Sequence, residues 1–500
     1  MQPQAGGKST HQRHAEEIKS ARDKKAAKEE RRETCNQPTD TTMSPTKSSP
    51  INLSSGFPSP SLFPLQQLNH ATNTVLATPS IWHEGMIYGP DEGHFPLRKN
   101  VARWLSDFYY PDSTTSSDSN ATIEADRICI TGGASQNLAC LLQVYTDPVF
   151  TRNVFVVEPG YFLSFRVFED AGFAGRLRGV PEDEEGIDLE FLEKRLKEDE
   201  LASTPDIKPF KPPRPYRKLY RHIIYCVPTF SNPSGRIMSL PRRKALIRLA
   251  RKHDALIVAD DVYDFVHFPT DTSSLDSPSP QFRHIIPRLV DIDRTLDGGP
   301  VDRFGNCMSN GSFSKIVGPG CRVGWVEGTP AFAYGISQAG STHSGGAPSH
   351  MMSTFINEML ESSEDSTCAM TAHILDNLIP AYAKRYALLS NAVKQYLVPL
   401  GVLPAVENGF NAGGGFFLWL RLPASFTSTE IVAAARLDGV VVGDGTVSAL
   451  PEGNPRCGTY EDMIRLCFAW VEEQELVEGV RILGGTISRL AKLKGMAGKI

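Results

Sequence analysis

The sequence predicts an α/β protein in which a mostly parallel sheet is flanked by helices, with a smaller α+β domain built from the C-terminal part and an N-terminal segment. Two observations lead to this prediction. From about Arg127 onwards, short β-branched runs alternate with helical patterns, which is typical of parallel sheets covered on both faces. Forty per cent of the 500 residues are hydrophobic, enough for a large core, and a chain of this length usually forms more than one domain.

The sheet is predicted from six short apolar runs that turn residues bound. They are Arg127–Thr131, Asn153–Glu158, His222–Val227, Ala255–Asp260, Cys307–Phe313 and Arg322–Glu327. The clearest helix between them is Leu240–His253, because Ser239 is a typical N-cap and Pro241 suits the first turn. Two stretches, the Pro- and Lys-rich Leu201–Arg217 and the Ser-, Pro- and Asp-rich Pro269–Gly305, are predicted to be surface excursions.

Changes in composition predict the domain boundaries. Residues 1–50 have almost no large apolar side chains and are expected to form a disordered, charged tail. Residues 51–100 should form an ordered N-terminal segment. Residues 101–370 should form the large domain, residues 371–400 a long connecting helix and residues 401–500 the smaller domain. The strands predicted there are Gly413–Leu422, Gly439–Val442 and Met463–Trp470, and the helices are Ser428–Leu437 and Glu472–Leu493.

Composition also limits the classes of function. Lys and Arg number 52 and Asp and Glu 57, so the net charge of −5 does not suit an extended nucleic-acid-binding face. No apolar run approaches the roughly 18–20 residues of a membrane span, and the N-terminus lacks the apolar stretch of a secretory signal. The nine cysteines are scattered without a CxxC pair, which favours reduced thiols over a zinc site. We therefore expect a cytoplasmic protein that binds no nucleic acid, membrane or metal.

The strongest chemical signal is the run Ser312–Lys315, which Arg322 follows seven residues later. A lysine just past a strand end, among small hydroxyl residues, is positioned for Schiff-base chemistry if its amine is accessible. Arg322 could return to the same site and hold a phosphate with its planar guanidinium. Taken alone, this pattern would equally fit an ordinary surface lysine.

Two further motifs lie at strand ends. Pro228–Gly235, which contains Asn232, follows the strand that ends at Val227, and Asp260 is followed three residues later by Tyr263. Ligands of parallel sheets bind at the carboxyl ends of the strands, so these residues should meet at one site. Singly, an Asn-Pro turn or a strand-end aspartate that caps a helix would carry no function.

Together and in this order, the motifs resemble the class I/II aminotransferases that depend on pyridoxal 5′-phosphate (PLP) and share the fold of aspartate aminotransferase. The resemblance spans Ile51 to Leu493 and implies a seven-stranded sheet in a large, PLP-binding domain. It also implies that residues 51–100 contribute to the smaller domain and to the rim of the active site. Ile51–Pro64 and the Pro-Gly-x-Arg run after Lys315 look most similar to the aminoadipate/kynurenine and aromatic branch, in a fungal-type member.

The activity that the resemblance implies is transfer of an amino group between an L-amino acid (aminoadipate, aromatic or similar) and a 2-oxo acid. A second hypothesis is a PLP-dependent C–S lyase, which performs β-elimination on the same fold. A third is a transcription regulator with an aminotransferase-like domain. That regulator would need an N-terminal winged helix, for which residues 1–50 have no core.

The resemblance implies three catalytic residues, Lys315, Asp260 and Tyr263. Lys315 would bind PLP covalently and then move the proton at the substrate α-carbon. Asp260 would pair with the pyridine nitrogen and keep it protonated, so that the ring withdraws electrons. Asn232 and Tyr263 would hydrogen-bond the phenolic oxygen and stabilise its anion.

Further residues would hold the rest of the cofactor. The phosphate would lie at a helix N-terminus, and the residues implied there are Gly133, Ala134, Ser135, Ser312 and Arg322. Tyr161 would stack on the pyridine ring. Tyr88 matches a tyrosine that reaches the phosphate of a neighbouring subunit, which implies a homodimer.

The substrate side is expected to depend on an arginine, because a planar guanidinium binds a carboxylate through two hydrogen bonds. Arg465 lies inside an apolar strand, where a charge is costly unless it is paired. The resemblance assigns it to the substrate α-carboxylate, with Asn232 and Gly56 beside the substrate.

Overall fold

The computed structural model describes residues 49–110, 122–201, 208–270, 284–361, 367–405 and 412–495. Residues 1–48 of the predicted tail lie outside the described residues. The strands are β1 (Ile51–Asn52), β2 (Ile128–Thr131), β3 (Asn153–Glu158), β4 (Leu177–Asp183), β5 (Gly186–Ile187), β6 (His222–Cys226), β7 (Ala255–Asp260), β8 (His267–Pro269), β9 (Cys307–Ser312), β10 (Gly324–Glu327), β11 (Leu403–Pro404), β12 (Ala412–Gly414), β13 (Phe417–Arg421), β14 (Val440–Val441), β15 (Gly443–Asp444) and β16 (Met463–Cys467).

The α-helices cover the sheet faces and the C-terminal region. They are Leu65–Ala77, Pro79–Met86, Phe95–Tyr109, Ala134–Tyr145, Phe162–Phe168, Leu189–Leu201, Leu240–Lys252, Leu289–Thr295, Pro330–Ser337, His350–Leu360, Ala369–His373, Ile379–Tyr396, Ser428–Leu437 and Glu473–Leu493. The helix predicted over Leu240–His253 is present as Leu240–Lys252 with its predicted N-cap: the Ser239 hydroxyl accepts a hydrogen bond from the backbone N–H of Arg242. Within the described ranges, no helix combines the length and the apolar character of a membrane span.

The main sheet has eight strands among the described residues, in the order β2-β10-β9-β7-β6-β3-β4-β5. Strands β3, β4, β6, β7 and β9 pair in parallel, whereas β10 is antiparallel to both of its neighbours. The prediction of a mostly parallel sheet is therefore confirmed. The sheet therefore has one strand more than the expected seven. The additional strand is the two-residue β5, which forms a hairpin with the end of β4. Strand β4 was missed among the apolar runs because Arg178, Pro181 and Glu182 interrupt it.

The prediction that Pro269–Gly305 is a surface excursion throughout is wrong. Residues 271–283 lie outside the described ranges, but Leu289–Thr295 is a helix with a buried side. Arg288, before this helix, is buried and paired with Asp291 and Glu327 at 2.8 Å each. Polar composition was misleading here because ion pairing allows these charges to be buried. In the other stretch, residues 208–210 and 212–215 are exposed as expected.

The C-terminal region contains a four-stranded sheet in the order β11-β13-β16-β15. The predicted single strand Gly413–Leu422 is wrong, because the chain turns at Gly415 with φ +63° and divides it into β12 and β13. Strand β12 pairs with β8, whereas β13 pairs with β16. The N-terminal strand β1 pairs in parallel with β14, which confirms that the N-terminal segment joins the C-terminal part. The predicted domain boundaries themselves stay predictions.

The parallel strands determine where the site lies. The carboxyl ends of β3, β6, β7 and β9 lie along one edge of the sheet, because these strands run in the same direction in neighbouring positions. The chain leaves that edge towards Tyr161, Asn232, Asp260 and Lys315 in turn.

Candidate active site

Lys315 lies three residues after the end of β9, and its amine lies among aromatic rings. Its Nζ donates a hydrogen bond to the Gly56 carbonyl at 2.8 Å. The ring centroids of Phe416 and Tyr263 lie 5.0 and 5.8 Å from Nζ. Burial lowers the pKa of Lys315 to about 8, and the nearby charge of Arg465 acts in the same direction. At neutral pH about one tenth of this amine is therefore unprotonated, far more than for an exposed lysine.

Asp260 is the last residue of β7 and is buried. Its Oδ2 accepts a hydrogen bond from the Tyr225 hydroxyl at 2.7 Å, whereas its Oδ1 is buried and has no hydrogen-bond partner among the described residues. Burial raises the pKa of Asp260 to about 6, although the Tyr225 bond and the charge of Lys315 oppose this rise. A buried carboxylate oxygen without a partner is costly, so this atom is suited to receive a donor from a ligand.

Arg465 lies in β16, and its guanidinium is held by donation to two oxygens. Nη1 donates to the Asn232 side-chain oxygen at 2.8 Å and Nη2 to the Ser54 carbonyl at 3.0 Å. The ring centroids of Phe417 and Phe162 lie 4.1 and 5.9 Å from its Cζ atom. The structure thus brings together Arg465 and Asn232, two of the residues predicted to bind substrate.

Two predicted tyrosines border the same space. Tyr263 is buried, its ring centroid lies 5.5 Å from that of Phe416, and burial raises its pKa well above the ordinary value. Tyr161 immediately precedes the helix Phe162–Phe168. Burial raises the pKa of Tyr161 to about 12, the charge of Asp260 adds to this rise, and Arg465 opposes it. The Tyr161 hydroxyl therefore lies within the electrostatic reach of both the aspartate and the arginine.

The predicted phosphate loop forms the start of the helix Ala134–Tyr145, where Ala134 and Ser135 occupy the first turn. The first backbone N–H groups of a helix have no partner within it and attract anions. Gly133 has φ +96°, and a Cβ added there would lie 3.4 Å from the Arg322 Nη2 atom. Arg322 is exposed, so its guanidinium is available beside this helix start.

Two other predicted residues are placed differently. Ser312, at the end of β9, is buried and donates from Oγ to the Ser314 hydroxyl at 2.8 Å. Tyr88 is 87 % exposed in the single chain and lies over Gly345, where an added Cβ would come within 2.4 Å of its ring. Like Arg322 and Ser135, Tyr88 is exposed to solvent in the single chain.

Sequence reasoning missed four contributors to the site. Tyr225 lies inside β6, and only the spatial neighbourhood of β7 shows that its hydroxyl reaches Asp260. Ser54 contributes a carbonyl, which no side-chain motif can reveal. Phe416 follows the turn at Gly415 that the strand prediction overlooked. Asn310, whose Nδ2 donates to the Ala134 carbonyl at the start of the predicted phosphate helix, had a visible signal, since an asparagine in the middle of a buried strand is unusual.

PLP fits the residues that are present. The unpartnered oxygen of Asp260 is suited to a protonated ring nitrogen, and the Lys315 amine of lowered pKa is suited to the aldehyde. The helix start at Gly133 with the neighbouring Arg322 is suited to the phosphate. The three chemically different ends of the cofactor thus each have a matching group at this edge of the sheet.

Known proteins resemble the chain over nearly its whole length. It is 32 % identical over 450 residues to an uncharacterised protein of Saccharomyces cerevisiae, covering 87 % of this chain and 96 % of that one. It is 25 % identical over 449 residues to aromatic-amino-acid aminotransferase 1 of Thermococcus litoralis, covering 88 % and 89 %. A solved structure of α-aminoadipate aminotransferase from Thermus thermophilus, complexed with N-(5′-phosphopyridoxyl)-L-leucine, has the same fold, with a TM-score of 0.66 and 24 % identity over 89 % of this chain and 93 % of that one.

The family itself is identified by a wider match. Residues 48–483 match the family model of class I and II aminotransferases. The predicted relationship to aminoadipate and aromatic aminotransferases and to a fungal protein is confirmed by the relatives in sequence, which include a 2-aminoadipate transaminase of Thermus thermophilus. The chain therefore belongs to the class I and II aminotransferases, the PLP-dependent transaminases that its motifs predicted.

Proposed function

We propose that the chain transfers an amino group between an L-amino acid with a large apolar or aromatic side chain and a 2-oxo acid, with Lys315, Asp260 and Arg465 as its central residues. The observation that carries this proposal is that the charges of Asp260 and Arg465 both act on the Lys315 amine within one buried space. When bound, PLP supplies an electron-withdrawing ring that stabilises negative charge at the substrate α-carbon.

Lys315 is proposed to hold the cofactor and to move the substrate proton. Its pKa of about 8 leaves a useful fraction of free amine near neutral pH, as a base at the α-carbon requires. The Gly56 carbonyl, which now accepts its hydrogen bond, holds the flexible side chain in the site. Asp260 is proposed to keep the ring nitrogen protonated through its free Oδ1.

Arg465 is proposed to bind the substrate α-carboxylate. Its guanidinium is already oriented by Asn232 and Ser54, so little further ordering is needed when a carboxylate arrives. A carboxylate held in this way also fixes the direction of the bond from the α-carbon to its hydrogen relative to Lys315. Asn232, with its carboxamide nitrogen, and Tyr263 would contact the phenolic oxygen of the cofactor.

The preference for a large apolar side chain is argued from the surroundings of Arg465. The rings of Phe417 and Phe162 flank its guanidinium. Next to Gly56, the rings of Phe57 and Trp470 meet edge to face, with centroids 5.5 Å apart. Aromatic walls favour apolar and aromatic side chains over charged ones. We expect kcat/KM for phenylalanine or leucine to exceed that for 2-aminoadipate, and the opposite order would overturn this preference.

A homodimer with shared sites is part of the proposal. Tyr88 is exposed, as are the neighbouring apolar residues Met86, Ile87 and Phe95, and exposed apolar patches often mark interfaces. Mixing Tyr88→Phe with Lys315→Ala subunits should restore activity, because one site of each hybrid would then carry neither change. A fully active monomer in sedimentation would contradict the shared site.

We also propose a cytoplasmic location, which the unpaired state of the described cysteines supports.

The central experiment follows the cofactor through half of the reaction. PLP-loaded protein mixed with an amino acid, without an oxo acid, should yield pyridoxamine phosphate and the matching oxo acid by mass spectrometry. Borohydride reduction followed by peptide mapping should place the pyridoxyl group on Lys315. Release of ammonia without pyridoxamine phosphate would show elimination instead of transamination, and a label on another lysine would contradict the assignment.

A further inference from the structure

Two buried asparagines connect the phosphate-binding helix to the strand that precedes Lys315. Asn137 lies in the first turns of the helix Ala134–Tyr145, and Asn310 lies within β9. The Asn137 Nδ2 donates to the Asn310 side-chain oxygen at 2.8 Å, and the Asn310 Nδ2 donates to the Ala134 carbonyl at 3.2 Å. Asn137 is 0 % exposed and Asn310 is 1 % exposed. Together they form a continuous polar link from strand to helix, which we call the amide bridge.

The amide bridge is poorly explained by stability alone. Burying an amide costs free energy unless all of its polar atoms are hydrogen-bonded. The Asn137 side-chain oxygen is buried, and no residue in the described part of the chain donates a hydrogen bond to it. Apolar side chains of similar size at both positions would avoid this cost. A polar pair that is only partly satisfied is better explained by a requirement for fixed geometry.

The position of the bridge indicates which geometry is fixed. In the sheet, Asn310 is the backbone partner of Asp260, and its carbonyl accepts a hydrogen bond from the Asp261 N–H at 3.2 Å. Asn310 also precedes Ser312 by two residues on the same strand. At its other end the bridge holds Ala134, where the predicted phosphate site begins. The bridge therefore spans from the strand beside Asp260 to the helix start.

We infer that Asn310, with Asn137 hydrogen-bonded to it, is a positioning residue that holds the phosphate-binding helix start in register with Asp260 and Lys315. This inference rests on the proposed function, since it assumes that PLP occupies the site. Without the bridge, the helix start would lose its side-chain hydrogen bonds to β9 and would be held less firmly relative to that strand. This weaker hold would weaken the contacts to the phosphate and leave those to the ring unchanged.

The test compares two forms of the cofactor that differ only in the phosphate. Dissociation constants for PLP and for pyridoxal, which lacks the phosphate, are measured by absorbance and tryptophan fluorescence for wild type, Asn310→Leu and Asn137→Leu. Wild type should bind PLP more tightly than pyridoxal. Each variant should lose about tenfold in PLP affinity, roughly the value of one buried hydrogen bond, and change its pyridoxal affinity less than about twofold. The double variant should be no worse than Asn310→Leu, because both residues act through one bridge.

The matched control is Asn306→Leu. Asn306 is buried just before β9, and its Nδ2 donates to the Ala255 carbonyl at 2.9 Å, at the strand end away from the site. This change should lower the melting temperature without altering the ratio of PLP to pyridoxal affinity. Asn310→Ser, which is smaller and polar, supplies the same comparison if the leucine variants fail to fold.

The outcomes separate the inference from the proposed function. If the Asn310 and Asn137 variants keep the wild-type ratio of PLP affinity to pyridoxal affinity, the positioning role is overturned while the PLP site stands. If wild type binds neither form, both the proposed function and this inference fail.

Discussion

Replacing Tyr225 by phenylalanine should change the pH at which the protein binds PLP. The only group removed is the hydroxyl that donates to Asp260 Oδ2 at 2.7 Å. Burial raises the pKa of Asp260 to about 6 even with this bond in place. Only the ionised carboxylate can pair with a protonated ring nitrogen, so PLP affinity should fall as the pH is lowered through the pKa of Asp260.

The size of the change follows from the bond. A hydrogen bond to a charged group contributes about 1.5–3 kcal/mol, and about 1.4 kcal/mol corresponds to one pKa unit. In Tyr225→Phe the pKa of Asp260 should therefore rise from about 6 to roughly 7–8. At pH 7 the carboxylate would be about nine tenths ionised in wild type and between about one tenth and one half ionised in the variant. PLP affinity at pH 7 should fall about two- to tenfold, and the two proteins should converge near pH 9.

The assay is a series of PLP titrations of the apoprotein from pH 5 to pH 9, followed by fluorescence. Ionisations of PLP itself are common to both proteins, so the difference between the two curves reports on Asp260. Tyr220→Phe is the matched control, because Tyr220 is also buried and its hydroxyl donates to the Gly305 carbonyl at 2.6 Å. The Tyr220→Phe variant should be less stable than wild type, but the pH midpoint of its PLP affinity should be unchanged. If Tyr225→Phe and wild type share one midpoint, Tyr225 does not set the protonation of Asp260 and the reasoning is refuted.

Three further substitutions test the site. Arg465→Lys keeps the charge but loses the planar donor pair, so KM should rise strongly for both amino acid and oxo acid while the absorbance of bound PLP stays constant; an unchanged KM would remove Arg465 from the substrate site. Asp260→Asn should keep some PLP but slow the half-reaction by about 10³-fold or more in stopped flow, since the ring nitrogen loses its anion, and a near wild-type rate would contradict that role. Gly133→Ala places a Cβ 3.4 Å from the Arg322 Nη2 at φ +96° and should weaken PLP binding measurably; equal affinity would argue against this helix start as the phosphate site.

Much of the site was predictable because its residues lie at strand ends. Lys315, Asp260 and Asn232 each follow a recognisable apolar run, so both their nature and their place in a parallel sheet are local properties of the sequence. The cost of a buried charge indicates that Arg465 needs a partner, but the sequence did not identify Asn232 as that partner.

What the sequence did not predict depends on contacts between distant segments. The hydroxyl of Tyr225 meets Asp260 only because β6 and β7 are neighbours in register. The helix Leu289–Thr295 is buried because Arg288 finds Glu327 on another strand, which composition cannot show. The break at Gly415 was missed because glycines inside a hydrophobic run fit a strand as well as a turn.

The hydrogen bonds of Lys315 and Arg465 to Gly56 and Ser54 have a consequence for mutagenesis. Both acceptors are main-chain carbonyls, so no change of the Ser54 side chain removes the oxygen that Arg465 contacts. An alanine scan would therefore miss this part of the site. The path of the chain after β1 is what matters, and inserting one residue between Asn52 and Ser54 would displace both carbonyls at once. Deletions and insertions, rather than substitutions, are the way to detect functional groups that belong to the backbone.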